Sequence, residues 1–427
     1  MLTRRQTLQA LGAAGVVAPL MSACATEGSN QGAVESSDLK LVKADVRRSR
    51  GEPAATGDVV DAMHAFTLDL WAELPSGQNL ALSPYSIAVA LAMTANGARG
   101  GTARAMDDVL HLDSMSTYNA GLAALTQELA GLAGPVDVGG ERSEIDLAPA
   151  NQLFGDRLIT WQQGFLTVLA KMYGAGMRTV DFRGAPERAR TLVNQWTAEQ
   201  THDRIPEILP EGSIDVLTRL VLVNALYFKA PWATPFEKAA TRTGGFRRAD
   251  GSSVAVPLMS TDEGPTYVSG PHFHGARLPY AGGTLAMTVA LPTASETAAL
   301  RDLLGSGLSG RTEPGLRLTM PRWTYRVATD LKDPLKALGM GVAFGGDADF
   351  SAMTTDAQLA ITDVLHQTFV AVDESGTEAA AATAVVMGET SAQLIRHELV
   401  LDRPFLYVVH DTAHGTPLFV GRLSDPS

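Results

Sequence analysis

Residues 373–391 read Asp373-Glu374-Ser375-Gly376-Thr377-Glu378-Ala379-Ala380-Ala381-Ala382-Thr383-Ala384-Val385-Val386-Met387-Gly388-Glu389-Thr390-Ser391. Alanine and glutamate favour an α-helix. No apolar stripe at helical spacing emerges, however, and adjacent Val385 and Val386 lose side-chain freedom in a helix. With period two, Thr377, Ala379, Ala381, Thr383, Val385 and Met387 share one face. Glu378, Ala380, Ala382, Ala384, Val386 and Gly388 share the other. From 377 to 384 every residue but Glu378 is small, and proline is absent. The pattern predicts a segment able to slide between existing strands and become a central strand.

Around this segment the second half of the chain is rich in β-branched and aromatic runs bounded by turns. Strands are expected at 220–228, 285–291, 316–325, 368–372 and 405–409. The first half reads as helical. Val59, Val60, Met63, Phe66, Leu70 and Leu74 recur at helix spacing before Pro75-Ser76-Gly77. Ser83-Pro84 opens an apolar run from Ile87 to Met93 that Gly97 ends, and helices also suit 165–172 and 186–201. Helices first and strands later predict an α+β domain. From Asp58 to Ser427 there is no Pro/Gly/Ser linker and no repeat, so residues 58–427 are expected to form one large domain.

The N-terminus reads differently. Arg4 and Arg5 precede a short apolar stretch from Ala10 to Ala23, broken by Gly12, Gly15 and Pro19. It is shorter than the ~20 apolar residues of a membrane span and has the form of an export signal. Thr3-Arg4-Arg5-Gln6-Thr7-Leu8 resembles the twin-arginine export motif. Cys24, the single cysteine, follows Met21-Ser22-Ala23 and resembles the lipidated cysteine of a bacterial lipobox, with Met21 where leucine is usual. Residues 1–23 are thus expected to be a signal of twin-arginine and lipoprotein type. Residues 24–57, rich in Gly, Ser, Glu, Ala and Pro, are expected to be a flexible tether. Its basic cluster, Lys43, Arg47, Arg48 and Arg50, reads as solvated. Export and a lipid anchor on the outer face of the cytoplasmic membrane follow as expectations.

Composition narrows the chemistry. The 427 residues carry a net charge of −12, with 46 acidic and 34 basic side chains, which argues against a nucleic-acid partner. One cysteine allows neither an internal disulfide nor a cysteine zinc site. The chain has no G-x-S-x-G elbow, no P-loop and no dinucleotide-binding fingerprint. The one S-x-x-K, Ser37-Asp38-Leu39-Lys40, lies in the expected tether. His397-Glu398 has Leu401 where a zincin needs a second histidine. His272-Phe273-His274 could offer two rings on one strand face, but reads as an exposed pair rather than a metal site. Nothing in the sequence brings a nucleophile, a base and an orienting group together.

Several separated motifs then converge. Glu374-Ser375-Gly376-Thr377-Glu378-Ala379-Ala380-Ala381-Ala382-Thr383 resembles the reactive-loop hinge of the serpins. Asn79-Leu80-Ala81-Leu82-Ser83-Pro84-Tyr85-Ser86-Ile87 and Gly97-Ala98-Arg99-Gly100-Gly101-Thr102 are similar to an early serpin block. Leu222-Val223-Asn224-Ala225-Leu226-Tyr227-Phe228-Lys229, followed by Trp232 and Phe236, resembles the most diagnostic signature, with Ala230 replacing a usual glycine. Asp402-Arg403-Pro404-Phe405-Leu406 and Leu418-Phe419-Val420-Gly421-Arg422 are similar to the C-terminal signature.

The resemblance implies three β-sheets, eight or nine helices and an exposed reactive-centre loop. It implies a monomeric suicide-substrate inhibitor of a serine protease, with no catalytic residue and no cofactor of its own. The alternatives are a non-inhibitory serpin acting as chaperone, carrier or storage protein, and an inhibitor of a cysteine protease. The small, uncharged Thr377, Ala379, Ala381 and Thr383 meet the demand for fast insertion. By the same resemblance Glu374 is the hinge-base glutamate and Trp232 marks where insertion begins. Ser83, Ser86, Asn224 and His366 form the shutter beneath the central sheet. Family spacing from Gly376 places the scissile bond at Thr390-Ser391, which suits an elastase-like pocket. Met387 would instead suit a chymotrypsin-like protease and Arg396 a trypsin-like one.

Overall fold

The strand Leu220–Pro231 is apolar or aromatic except at Asn224 and Lys229, and all of it but Lys229 is buried. A run buried on both faces belongs at the centre of a sheet. Its side chains alternate between two cores. Val221, Val223 and Ala225 pack with Val193 and Trp196 of the helix Pro186–Gln200. Leu222, Leu226 and Phe228 join the main core, which contains the helix Pro84–Ala95. That helix is buried at every residue and apolar all round, as a core helix must be. It starts where it does because extended Ser83 caps it: the Ser83 hydroxyl accepts the backbone N–H of Ser86, and Pro84 occupies the first turn.

The structure, a computed structural model, describes residues 38–378 and 394–427. Residues 36–427 form one compact unit. Among the described residues there are eight α-helices and three sheets, of eight, six and four strands, in an α+β arrangement. The largest sheet runs Lys40–Val42, Met177–Val180, Glu141–Asp156, Leu220–Pro231, Gly376–Thr377, Val364–Val372, Trp323–Asp330, with Gly134–Val138 paired to Glu141–Asp156. In the six-stranded sheet the hairpin Phe405–Asp411 and Pro417–Leu423, buried throughout, lies between Leu80–Leu82 and Leu285–Pro292. The four-stranded sheet has His397–Val400 at one edge.

Four sequence expectations need correction. The expected tether 24–57 ends much earlier than position 57. Lys40–Val42 pairs antiparallel with Met177–Val180, Ala44 is buried, the Ser49 N–H donates to the Lys171 carbonyl (2.7 Å), and the first long helix already starts at Thr56. A three-residue edge strand has no periodicity of its own, and its partner lies far along the chain. Nor is the basic cluster simply solvated: the Lys43 ammonium donates to the Gly174 carbonyl (2.6 Å), and Arg48 lies against Gly174. The single strand expected over 316–325 is two, Leu316–Pro321 and Trp323–Asp330, in different sheets. Pro321 lacks the N–H that would continue the first ladder. Finally, the sixteen-residue strand Glu141–Asp156 stands in the half read as helical. Its polar residues and Pro149 hide the alternation.

Candidate functional site

Between Leu220–Pro231 and Val364–Val372 the large sheet has a seam. Along its lower part the two strands pair directly and in parallel, from Val364 opposite Leu222 to Thr368 opposite Leu226. At its upper end they are parted by Gly376–Thr377. Gly376 faces Pro231 and Thr377 faces Ala230 on one side, while Thr377 faces Val372 on the other. Only glycine fits at 376, since a Cβ there would lie 2.2 Å from the Ala230 carbonyl oxygen. The chain turns in tightly: the Asp373 carboxylate accepts the N–H groups of Ser375 (2.7 Å) and Gly376 (3.2 Å).

Trp232 organises this end. Its backbone N–H donates to the Ser375 carbonyl (2.9 Å) and its indole N–H to the Asp373 carbonyl (2.9 Å). The ring stacks on Tyr280 at 4.6 Å, and the Tyr280 and Thr377 hydroxyls are 2.6 Å apart. The Thr377 side chain therefore points into the main core. Glu374 is buried, with its carboxylate accepting the Thr241 hydroxyl (2.6 Å) and lying 3.5 Å from the Arg322 guanidinium.

Glu378 takes the opposite face and leaves the sheet. Its φ of +48° is unusual for a residue with a side chain, and its N–H donates to the Ala371 carbonyl (2.7 Å). Its carboxylate pairs with Arg204, which also lies over the Phe369 ring. Burial pushes the Glu378 carboxyl up, against the opposing pull of Arg204. After position 393 the chain re-enters the fold through Gly315, whose carbonyl accepts the N–H groups of Arg396 (2.7 Å) and His397 (3.1 Å). Arg396, itself exposed, is thereby held at the start of the edge strand His397–Val400.

Beneath the seam the four shutter residues meet. The backbone N–H of Ser83 donates to His366 Nε2 (2.9 Å). Since that N–H can only donate, Nε2 is unprotonated and Nδ1 carries the proton, which it gives to Asn224 Oδ1. Asn224 Nδ2 donates to the Ser86 hydroxyl (2.9 Å) and to Asn151 Oδ1 (2.7 Å), and the Ser86 hydroxyl donates to Asn151 Oδ1 (2.7 Å). The donors thus run one way through a buried network that joins both seam strands to the capped helix. Complete burial pulls the His366 pKa down from its ordinary 6.5 to about 3, so the ring stays neutral.

Ser83, Ser86, Asn224 and His366 are therefore in one hydrogen-bonded group, and Glu374, Gly376, Thr377 and Trp232 in another. Glu378 stands beside them but turns to Arg204. Residues Ala379, Ala380, Ala381, Ala382 and Thr383, the expected scissile Thr390 and Ser391, and Cys24 lie outside the described residues. Sequence reasoning missed Asn151, Tyr280 and Arg204. None of the three carried a signal: Asn151 meets Asn224 only through the pairing of two strands distant in sequence. The His272 and His274 rings have separate partners: His272 lies 2.9 Å from the Asp302 carboxylate, and His274 2.6 Å from the Tyr267 hydroxyl.

The serpin (serine protease inhibitor) family model matches residues 61–426. A serpin-like protein of Thermococcus kodakarensis is 35% identical over 399 residues, covering 91% of this chain and 90% of its own. Leukocyte elastase inhibitor of Bos taurus is 35% identical over 379 residues, 84% of this chain and 97% of its own. The crystal structure of tengpin, a thermophilic serpin in its native state, matches with a TM-score of 0.75 at 26% identity, over 90% of this chain and 97% of that one. Motifs, sheet order and relatives agree, and the chain belongs to the serpin family.

Proposed function

We propose that this serpin is an inhibitor that traps a serine protease as an acyl-enzyme, with Thr390-Ser391 as the bond attacked. The observation that carries the reading is the state of the seam: two hinge residues, Gly376 and Thr377, sit between strands that close on each other directly below. By sequence, Ala379, Ala381 and Thr383 alternate in step with Thr377, so on insertion they would bring only small, uncharged side chains to the core face as the seam unzips.

The chemistry belongs to the protease. Its serine Oγ attacks the Thr390 carbonyl carbon, an ester forms, and the Thr390–Ser391 amide bond breaks. The serine proton passes through the protease histidine to the leaving amine of Ser391. This chain's residues act next. Freed at one end, the segment after Thr377 fills the seam, displacing the direct pairs from Val364–Leu222 to Thr368–Leu226 and parting His366 from Asn224. Each displaced backbone group regains a partner on the new strand, so the sheet gains pairing. The attached protease is carried along before water can hydrolyse the ester.

Leukocyte elastase inhibitor, by its name, acts on an elastase; with Thr390 at the cut, a small-pocket elastase-like protease is the target class expected here, and a chymotrypsin-like one the next. Mixing with pancreatic elastase should give a detergent-resistant band at the summed mass less that of the released fragment 391–427. Cleaved chain with fully active protease would overturn the inhibitory reading and favour a non-inhibitory role. We also propose that the protein is exported and anchored through a lipid on Cys24; radiolabelled palmitate that fails to enter the intact chain in cells would reject the anchor.

A further inference from the structure

Residues 40–50 gather charge of one sign. They carry Lys40, Lys43, Arg47, Arg48 and Arg50 against the single acid Asp45, in a chain whose net charge is −12. Lysine is scarce, at seven in 427 residues, yet Lys40 and Lys43 stand here with Lys171 beside them. The fold makes the stretch an arch. Its near foot is the Lys43 ammonium on the Gly174 carbonyl (2.6 Å), and its far foot the Ser49 N–H on the Lys171 carbonyl (2.7 Å). Both feet stand on one helical turn, Leu169–Tyr173 with its cap Gly174. Between them Asp45, Val46 and Arg47 are exposed, as are Arg50 beyond the far foot and Lys171 itself. Large apolar side chains also face water here: Leu41 is 47% exposed on the edge strand Lys40–Val42, and Val46 38% on the arch.

Cations interleaved with exposed apolar side chains suit a membrane interface, where lipid phosphates meet the cations and the apolar groups enter the headgroup boundary. A dissolved polyanion would use the cations and leave Leu41 and Val46 in water. The sequence brings a bilayer within reach: Cys24 stands 16 residues before Lys40, and a chain of that length spans at most about 55 Å. We propose that Lys40, Leu41, Val46, Arg47, Arg50 and Lys171 form a docking face for an anionic bilayer, which sets how the inhibitor domain stands on the membrane. This rests on the Cys24 anchor proposed above. An acyl group and a basic patch reinforce one another, since each alone holds a protein only weakly. The face lies at the edge of the largest sheet, with Met177–Val180 and Glu141–Asp156 between it and the seam strand Leu220–Pro231, so a docked chain keeps its seam clear.

The test sediments the Cys24→Ser chain with vesicles, so that no acyl group contributes. The chain should bind phosphatidylglycerol vesicles, stay free of phosphatidylcholine vesicles, and be released as salt rises. Arg47→Gln/Arg50→Gln should weaken binding at least about tenfold, and Val46→Ser about threefold. These three positions are exposed, so thermal unfolding should match the parent. Lys332→Gln/Lys336→Gln removes as much charge from the helix that follows the opposite edge strand, Trp323–Asp330, and should bind as the parent. Binding that the arginine variant keeps within about twofold, or that the lysine variant loses equally, would overturn the proposal. No binding to phosphatidylglycerol vesicles would overturn it too, and binding to soluble dextran sulfate alone would assign the arch to a free polyanion instead. Because this chain carries no lipid, its vesicle binding succeeds or fails independently of palmitate incorporation, which tests the anchor.

Discussion

Thr377 shows how little room the hinge leaves for chemistry. Its side chain is buried, bonded to Tyr280 and flanked by Ala230 and Val372. A guanidinium here would have to enter an apolar core without a partner, at a cost of several kcal/mol. Thr377→Arg should therefore keep the chain a good substrate but a poor trap, read as a rise in cleaved chain per enzyme inhibited. Undiminished trapping would contradict the insertion step. His366 makes a pH prediction. Its folded pKa is depressed to about 3 from 6.5, so the unfolded chain binds a proton that the folded one refuses. The stability it contributes is complete above pH 6.5 and is lost as pH falls towards 3, with a slope of up to ~1.4 kcal/mol per pH unit. The urea midpoint should drop between pH 7 and pH 4 more steeply in the parent than in His366→Gln.

At the scale of elements, the seam is two strands cross-linked by one polar cluster. Asn224 gives and receives hydrogen bonds with His366, Ser86 and Asn151 at once. Asn224→Ala strands the Nδ1–H of His366 in the core and should cost ~3 kcal/mol. Its urea midpoint should fall, and the variant incubated at 37 °C should lose trapping activity faster than the parent, because the strands part more readily. The strand itself was legible as a β-branched and aromatic run from Leu220 to Phe228, and Ser83-Pro84 announced the start of a helix. Glu141–Asp156 was not, because only half of it is buried and its polar side chains are matched to a neighbour the local pattern cannot name. Lys40–Val42 escaped for the same reason, being a strand only by virtue of Met177–Val180.

For the whole molecule, the proposed insertion has a thermodynamic signature. A chain cut within 379–393 by a non-target protease can fill its seam without any enzyme attached. It should unfold at a distinctly higher temperature than the intact chain, by differential scanning calorimetry, since the added strand pairs on both sides. Equal unfolding temperatures would mean that the seam does not accept the loop.

That the segment from Thr377 onward is able to form a strand was readable from residues alone. Alternating small side chains without proline permit a strand, and that permission is a local property of backbone and Cβ sterics. Family membership was legible likewise, through motifs each confined to a few adjacent residues. How far the hinge has entered was not. That depends on Tyr280 meeting Thr377 across 97 residues, on Arg204 meeting Glu378 across 174, and on Asn151 completing the shutter. Such contacts follow from the path of the folded chain, which brings together groups that no periodicity relates.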